Sequence, residues 1–421
     1  MTILLAGLYG LLPLVQYLFL LFSTPFWEAI DAINYFMSVF AFYWILGNVL
    51  LGAKLPFLQK LLPYDKAIQW HILASIGILF YIPFHGAIKI FSGYWITASS
   101  WILLGLFLGG GILSMVWVRT KLFGFIQDIA HKWNIKALKS YDILKLAHYL
   151  FFISLASVML IHVREAGVID FVHPVSRVLW YGPYALVMGL WVYSKVRWLF
   201  LPKVKIVSIE KKKSLYHIKM EKPKSFRYKA GQFGFYQILK KGFPREVHPF
   251  SFLSEPQSDH LEIGVKELGD FTSKISKLVP GDIIRINGSY GAFFPKKNQN
   301  ICYIGSGIGI VPVVSLLQNE LAKDIPVPSL AFLSVQSQEE LLYSEEIDEL
   351  ERKSEETRIY KLIYERDKSY FTKEYFEQHI DSPSHYHYYL CSSPLVRKIV
   401  IKILNQMGVK NSHIHFENFA F

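Results

Sequence analysis

The chain has 421 residues, 52% of them hydrophobic, and carries a formal charge of +12 at pH 7. A mean hydropathy of +0.27 is too apolar for a wholly soluble protein and too polar for one confined to a bilayer, which implies a membrane half and a soluble half. The basic residues cluster beside apolar runs, where a positive cytoplasmic flank accounts for them, so the charge does not argue for nucleic acid. The two cysteines, Cys302 and Cys391, support neither a disulfide framework nor a cysteine metal site.

Apolar runs near the ~20 residues that hydrocarbon requires predict six membrane spans: Ile3 to Phe22, Ile33 to Leu51, Ile68 to Phe91, Thr97 to Val118, Tyr141 to Val163 and Leu179 to Leu199. The first lacks a basic n-region and a cleavage site, and reads as a retained helix. In the fourth, Gly109-Gly110-Gly111 predicts a close helix approach. Between the fourth and fifth, Arg119 to Ser140 interleaves basic residues with Leu122, Phe123, Phe125, Ile126 and Trp133, the pattern of an amphipathic helix on an anionic leaflet. Basic loops follow spans two, four and six, which assigns the N-terminus and the soluble half to the cytoplasm of a multi-pass plasma-membrane protein.

Spans three and five each carry two histidines fourteen residues apart, His71 with His85 and His148 with His162. That step falls about 40° short of four turns and rises roughly 21 Å, so both members of a pair share a helix face. A single histidine in an apolar helix is ordinarily a hydrogen-bonded core residue. Four at matched depths need a shared reason, because an ionisable group is costly in hydrocarbon. Pairing His71 with His148 at the inner depth and His85 with His162 at the outer gives two sites, each an imidazole pair of the kind that holds a six-coordinate haem. A metal or proton path lined by the same histidines is the rival reading.

Beyond Leu201 the periodicity turns to short β-type runs: Val204 to Glu210, Leu215 to Met220, Phe233 to Leu239, Leu261 to Val265 and Ile283 to Asn287. Turn signals at Lys229-Ala-Gly-Gln and Val279-Pro-Gly-Asp divide them, which predicts a small antiparallel barrel from Lys203 to about Gln299. From Ile301 a strand, glycine loop, helix and strand pattern predicts a parallel nucleotide-binding sheet. The expected architecture is a six-helix transmembrane bundle over residues 1–202, a β-barrel domain over 203–299 and an α/β Rossmann-like domain over 300–421.

Four short stretches carry chemistry in this half. They are His248-Pro249-Phe250-Ser251; Gly269-Asp270-Phe271-Thr272, whose glycine turn and hydroxyl suit a pyrophosphate; Gly305-Ser306-Gly307-Ile308-Gly309, after the strand Ile301 to Ile304 and opening a helix, where a dinucleotide phosphate meets backbone N–H groups; and Cys391-Ser392-Ser393-Pro394 with the terminal Ile414 to Phe419. One alone is weak; the four in this order are specific.

With these motifs the chain resembles the ferric reductase and NADPH oxidase superfamily, in particular its short bacterial members, over nearly its full length. The resemblance implies two b-type haems, FAD and NADPH or NADH as cofactors. It implies Phe250 against the isoalloxazine, Ser251 near its reactive nitrogen, and His248 with Pro249 in the same flavin motif, His248 towards the phosphates. Gly269, Phe271 and Thr272 match the motif for FAD phosphate, while Gly305, Gly307, Gly309 and Cys391 match those for the nicotinamide nucleotide. Glu417 and Phe419 match a terminal motif whose aromatic ring covers the flavin, although the chain runs on to Phe421. Where relatives that prefer NADPH carry an arginine for the 2′-phosphate, this chain has Gln336, with Ser334, Ser337 and Arg366 nearby in sequence, so nucleotide preference stays open.

The expected activity is a transmembrane NAD(P)H oxidase that carries electrons from cytoplasmic NAD(P)H through FAD and the two haems to dioxygen outside, yielding superoxide. Lys89, one turn beyond His85 on the same face, is the candidate catalytic cation at the outer site, with Phe419 and Ser251 at the flavin. A ferric-chelate reductase would share the electron path. The sequence contains neither an EF-hand loop nor a Pro-rich docking tail, so no obligatory regulatory protein is expected beside the small-molecule substrates and membrane lipid.

Overall fold

The computed structural model describes residues 2–23, 29–59, 61–93, 96–117, 132, 141–166, 174–296, 299–324, 327–354 and 356–416. They fall into two compact units, residues 1–199 and 200–421. The expected amphipathic segment, Arg119 to Ser140, lies outside the described residues apart from Lys132, as do Glu417, Phe419 and Phe421.

The first unit is helical: α1 (Leu12–Ser23), α2 (Ala29–Gly52), α3 (Tyr64–Phe91), α4 (Ala98–Trp117), α5 (Tyr141–Glu165) and α6 (Pro174–Leu199). A π-turn, Gly7–Leu11, precedes α1. Among the described residues, four helices are long and apolar enough to cross a membrane: Leu4–Phe22, Ala29–Gly52, Lys66–Phe91 and Ile143–Glu165. The other two expected spans fold as helices, but α6 carries Arg177, Lys195 and Arg197, and the apolar part of α4 is the shorter run Ala98–Ser114. The core of this unit is built from Phe42, Leu46, Ile78, Phe107, Leu155, Met159 and Trp180. Full burial of each such side chain contributes about 1.5–3 kcal/mol. Many apolar side chains point outward instead, Phe22, Phe80 and Phe91 among them.

The glycine triplet of α4 does what small residues allow. An added Cβ would stand 3.1 Å from the Phe151 ring at Gly109, 3.2 Å from Phe151 Cβ at Gly110 and 2.7 Å from Leu79 at Gly111. The triplet therefore presses α4 against α5 on one side and α3 on the other.

The second unit contains two sheets. The first has the order β4-β3-β6-β1-β2-β5, formed by β1 (Lys203–Lys212), β2 (Leu215–Glu221), β3 (Phe233–Ile238), β4 (Val247–Ser251), β5 (His260–Lys266) and β6 (Ile283–Tyr290). All its pairings are antiparallel. Its two ends approach at an isolated antiparallel bridge between Phe252 and Ile263, where Leu253 N–H donates to Glu262 O at 2.7 Å. Met220, Phe252, Leu261 and Ile286 fill its interior. Gly231 makes the turn into β3 at φ +81, and a Cβ there would meet Phe293 O at 1.9 Å, so only glycine fits.

The second sheet is parallel, in the order β11-β10-β7-β8-β9, from β7 (Asn300–Ser306), β8 (Ser329–Val335), β9 (Arg358–Ile363), β10 (Tyr386–Cys391) and β11 (Ile414–His415). Alternate residues of β7 face opposite layers. Tyr303 packs with Val313 and Val314 of α7 (Ile310–Leu321), while Cys302 and Ile304 pack with Val400 and Leu404 of α9 (Pro394–Gln406); α8 (Ser344–Lys353) adds Ile347 and Leu350 to the first layer. Apolar layers on both faces explain the unbroken buried run of β8.

Candidate functional site

His71 on α3 and His148 on α5 face one another, with ring centroids 6.3 Å apart and planes at 66°. His71 Nδ1 lies 3.0 Å from Asn48 O. A carbonyl only accepts, so the ring holds its proton on Nδ1 and leaves Nε2 as a bare lone pair. Asn48 is fixed in turn: Tyr9 OH, from the π-turn, donates to its Oδ1 at 3.1 Å, and its Nδ2 donates to Ser75 Oγ at 3.1 Å. On the facing helix, Ser114 Oγ donates to Gly110 O at 2.6 Å and lies 2.8 Å from His148 Nδ1. The hydroxyl proton is already committed, so His148 donates from Nδ1. Phe152 packs against this ring at 4.8 Å.

His85 and His162 are held less evenly. His162 Nδ1 lies 3.2 Å from Ser100 Oγ and 3.4 Å from Ser99 Oγ, and Ser99 donates to Glu165 at 2.5 Å. His85 Nδ1 is buried with no hydrogen-bond partner among the described residues. His85 is within electrostatic reach of Lys89 and His162, and Lys89 also acts on His162. Among the described residues, no group of three or more His, Cys, Asp or Glu side chains converges to hold a metal ion. Among the described His, Cys, Asp and Glu side chains, a metal at either pair would find no third ligand.

In the second unit His248, Pro249, Phe250 and Ser251 lie on β4, an edge strand paired with β3 in the register Tyr236 to His248 and Phe233 to Ser251. Proline is tolerated there because an edge leaves one ladder unmade. The His248 ring stacks on Phe271 with centroids 3.8 Å apart, which brings the first two motifs together. His248 Nε2 is 2.8 Å from Glu246 Oε2, and Phe250 sits 5.7 Å from Tyr236. The Gly269 turn differs from expectation in one respect. Thr272 Oγ1 accepts from Gly269 N at 3.0 Å and Leu268 N at 2.9 Å, so these donors close the turn on its own hydroxyl.

The third and fourth motifs also abut. β7 runs into Gly307–Gly309, and α7 begins at Ile310. A Cβ on Gly309 would stand 2.1 Å from Cys391 O and 2.8 Å from Ser392 N. Gly305 is nearly as tight, at 3.0 Å from Ile310 Cα. Cys391 ends β10 and is buried, and Ser393 caps α9 by accepting from Val396 N. The glycine loop and the cysteine motif thus meet where strand order reverses between β7 and β10, the crevice in which open α/β sheets bind their ligands.

Residues 200–298 match the FAD-binding domain family, and residues 303–400 match the oxidoreductase NAD-binding domain family. The chain is similar to putative respiratory burst oxidase homolog protein G of Arabidopsis thaliana, 25% identical over 331 residues that cover 66% of this chain and 37% of that protein. The chain is an oxidoreductase with FAD- and NAD-binding domains. It is also similar to a component of the Na(+)-translocating NADH-quinone reductase of Idiomarina loihiensis, 24% identical over 214 residues, 45% of this chain and 52% of that one. A solved ferredoxin NADP+ reductase from Neisseria gonorrhoeae with bound FAD and NADP aligns with a TM-score of 0.44 and 20% identity, over 52% of this chain and 98% of that chain. The chain spans about a third to a half of the length of the first two relatives.

Several site residues of this oxidoreductase escape sequence reasoning. Asn48, Ser114 and Ser100 meet the histidines from neighbouring helices, and a serine in an apolar helix carries no signal of its partner. A second cluster lies away from the motifs, where His217 Nε2 is 2.8 Å from Glu262 Oε2 and the Tyr343 hydroxyl donates to the same oxygen. Burial alone would raise the Glu262 carboxyl, but the bonds from His217 and Tyr343 bring it below its ordinary range. The cluster ties β2 and β5 to the loop before α8.

Proposed function

We propose that the chain is a transmembrane NAD(P)H oxidase of three domains: a six-span bis-haem bundle over residues 1–202, an FAD-binding β-barrel over 203–299 and an NAD(P)H-binding α/β domain over 300–421. The observation that carries this reading is the spacing of His71 and His148. Two imidazoles bonded to one metal at about 2.0 Å each have centroids roughly 6 Å apart, and these stand at 6.3 Å. Both Nδ1 atoms are engaged, as they are in a histidine whose other ring nitrogen holds a metal, which makes Nε2 of each ring the ligand atom. A haem needs only two such axial ligands from the protein.

In this reading His71 and His148 hold the inner haem, and His85 and His162 the outer. FAD, when bound, turns a two-electron donor into single-electron deliveries, and haem carries charge across an apolar slab without a moving carrier. His248, Phe250 and Ser251 on β4, with Phe271 stacked behind His248, line the flavin. Gly269 and Thr272 shape the turn at its phosphates. Gly305, Gly307 and Gly309 admit the nicotinamide nucleotide beside Cys391, and the terminal motif of Glu417 and Phe419 supplies the flavin's aromatic cover, from Phe419 or from Phe421 two residues on. The balanced reaction takes one NAD(P)H and two dioxygen to NAD(P)+, one proton and two superoxide. Lys89 favours it by placing positive charge where negative charge develops on oxygen.

The test uses the purified full chain. A Soret band, nucleotide oxidation in air, and reduction of added cytochrome that superoxide dismutase suppresses are the expected results, with Lys89→Ala slowing the last and leaving the haem spectrum intact. Ferric-chelate reduction at full rate without oxygen, together with no effect of dismutase in air, would replace the oxidase with a ferric reductase. A chain with no Soret band would instead favour a transport path lined by the histidines.

A further inference from the structure

We propose that NADH is the preferred donor and that Glu365, at the end of β9, sets the preference. The inference rests on the reading that residues 300–421 bind a nicotinamide nucleotide.

A dinucleotide with its pyrophosphate on the Gly305–Gly309 loop lays its adenosine ribose towards the ends of the following strands. There an acidic group takes a ribose 2′-hydroxyl, or an arginine takes a 2′-phosphate. In this sheet those strands are β8 and β9, the second about 10 Å from the loop at two strand spacings. Their ends are joined: Glu365 N–H donates to Gln336 O at 3.0 Å. Beside them Tyr370, 61% exposed, stacks on Tyr364 with centroids 4.7 Å apart, offering an aromatic face of the kind on which a purine stacks.

A 2′-phosphate brings nearly two negative charges and needs cations to receive them. Four of the cations at this edge already have carboxylates, and a fifth, Lys368, lies over the Tyr364 ring at 5.8 Å. Arg366 donates from Nε to Asp367 Oδ1 at 2.7 Å, and from Nη2 to Asp367 Oδ2 and Lys361 O, both at 3.0 Å. Lys213 Nζ donates to both oxygens of Glu365, at 2.9 and 2.8 Å. Lys361 is bonded to Asp348, and Lys266 to Glu340. The Arg366 guanidinium holds Asp367 below the ordinary carboxylate range, so this partner stays ionised.

A phosphate arriving here would have to displace a carboxylate from any of those four that it used, with Lys368 alone left to receive it. A ribose hydroxyl donates, and finds acceptors in the Glu365 carboxylate and the exposed Gln336 side chain. The Lys213 and Glu365 side chains are 40% and 47% exposed, so water screens the repulsion and limits the discrimination to roughly tenfold, not thousandfold.

The experiment follows flavin bleaching anaerobically in the purified full chain, with NADH and with NADPH. The expected kcat/KM is about tenfold higher for NADH. Glu365→Ala removes the ribose acceptor and frees Lys213, so the NADPH-to-NADH ratio should rise by about tenfold or more. Adding Lys213→Ala should lower that rise by the share the freed lysine supplies and leave the share lost with the ribose acceptor. Glu365→Gln gives the same sign should the alanine variant fail to retain FAD. Equal or better use of NADPH by the unaltered chain, or a ratio that neither Glu365 variant moves, would overturn the proposal. If neither nucleotide bleaches a flavin that dithionite reduces, the donor-site reading itself fails, and that outcome is distinct from a wrong preference.

Discussion

Gly309 lies so close to Cys391 that a Cβ would stand 2.1 Å from its carbonyl oxygen. The backbone of Gly309 is ordinary, at φ −66, so the constraint is contact with backbone, which no rotamer relieves. Gly309→Ala should therefore part the two nucleotide motifs. We expect nucleotide-driven flavin reduction to fall tenfold or more while bound FAD and its reduction by dithionite are kept. Gly307→Ala is the control of opposite kind, with open space at Cβ but φ +57. It should cost about 1–2 kcal/mol of backbone strain, read as a lower Tm. Equal effects of both on flavin reduction would refute the contact argument.

Haem ligation is tested one histidine at a time. Replacing His71 or His148 by alanine should leave one haem per chain and stop transfer from flavin, whereas replacing His85 or His162 should leave the inner haem reducible by nucleotide. Haem content by pyridine haemochrome and anaerobic reduction spectra distinguish the two cases. Two low-spin haems in all four variants would remove the assignment.

The two pairs should differ in grip. Three of the four histidines have an Nδ1 partner, and His85 has none among the described residues. Loss of such a partner typically costs 10–100-fold in metal affinity. Transfer of haem to apomyoglobin should then be biphasic, with the fast phase missing in His85→Ala. Ser114→Ala, which strips His148 of its partner, should speed the slow phase by about tenfold on the same scale. A single rate for both haems would contradict this.

A pH dependence belongs to the end of the parallel sheet. His387 Nδ1 lies 3.1 Å from His415 Nε2, and His413 stacks on His387 with centroids 4.3 Å apart. Burial, then His413 and Lys296, hold His387 below its ordinary 6.5, and burial with His387 does the same for His415. The folded chain thus binds fewer protons here than the unfolded chain, so the stability these groups contribute is full above about pH 6.5 and is lost as pH falls below it. The temperature of FAD release should drop between pH 7 and pH 5, and by less in His387→Gln. An unchanged slope in that variant would place the dependence elsewhere.

The helices and most strands are legible in the sequence because their apolar periods are clean. α3 and α5 start within a few residues of their expected bounds, and the fourteen-residue histidine spacing carries the facing of His71 and His148. β4 is legible only as a motif, since Pro249 and a half-buried pattern on every residue hide an edge strand. The partners of the imidazoles are not legible at all. Ser114 and Asn48 act through tertiary contact, and a single sequence does not encode which helix a polar side chain will touch. Gln336 does stand at the strand end that its position implies, but the pairing of Arg366 with Asp367 and of Glu365 with Lys213 emerges only in three dimensions.

The missing side chain at Gly110 reaches further than helix packing. A Cβ there would meet Phe151 Cβ at 3.2 Å and the Phe152 ring at 3.3 Å, and Phe152 in turn lies 4.8 Å from the His148 ring. The Gly110 carbonyl also anchors Ser114, the partner of His148 Nδ1. One backbone position therefore sets both the lateral and the angular tolerance of an imidazole on the neighbouring helix. A methyl group added at that point would push Phe151 and the Phe152 ring back by a few tenths of an ångström, so the seat of the His148 imidazole is under steric control from a position that carries no side chain.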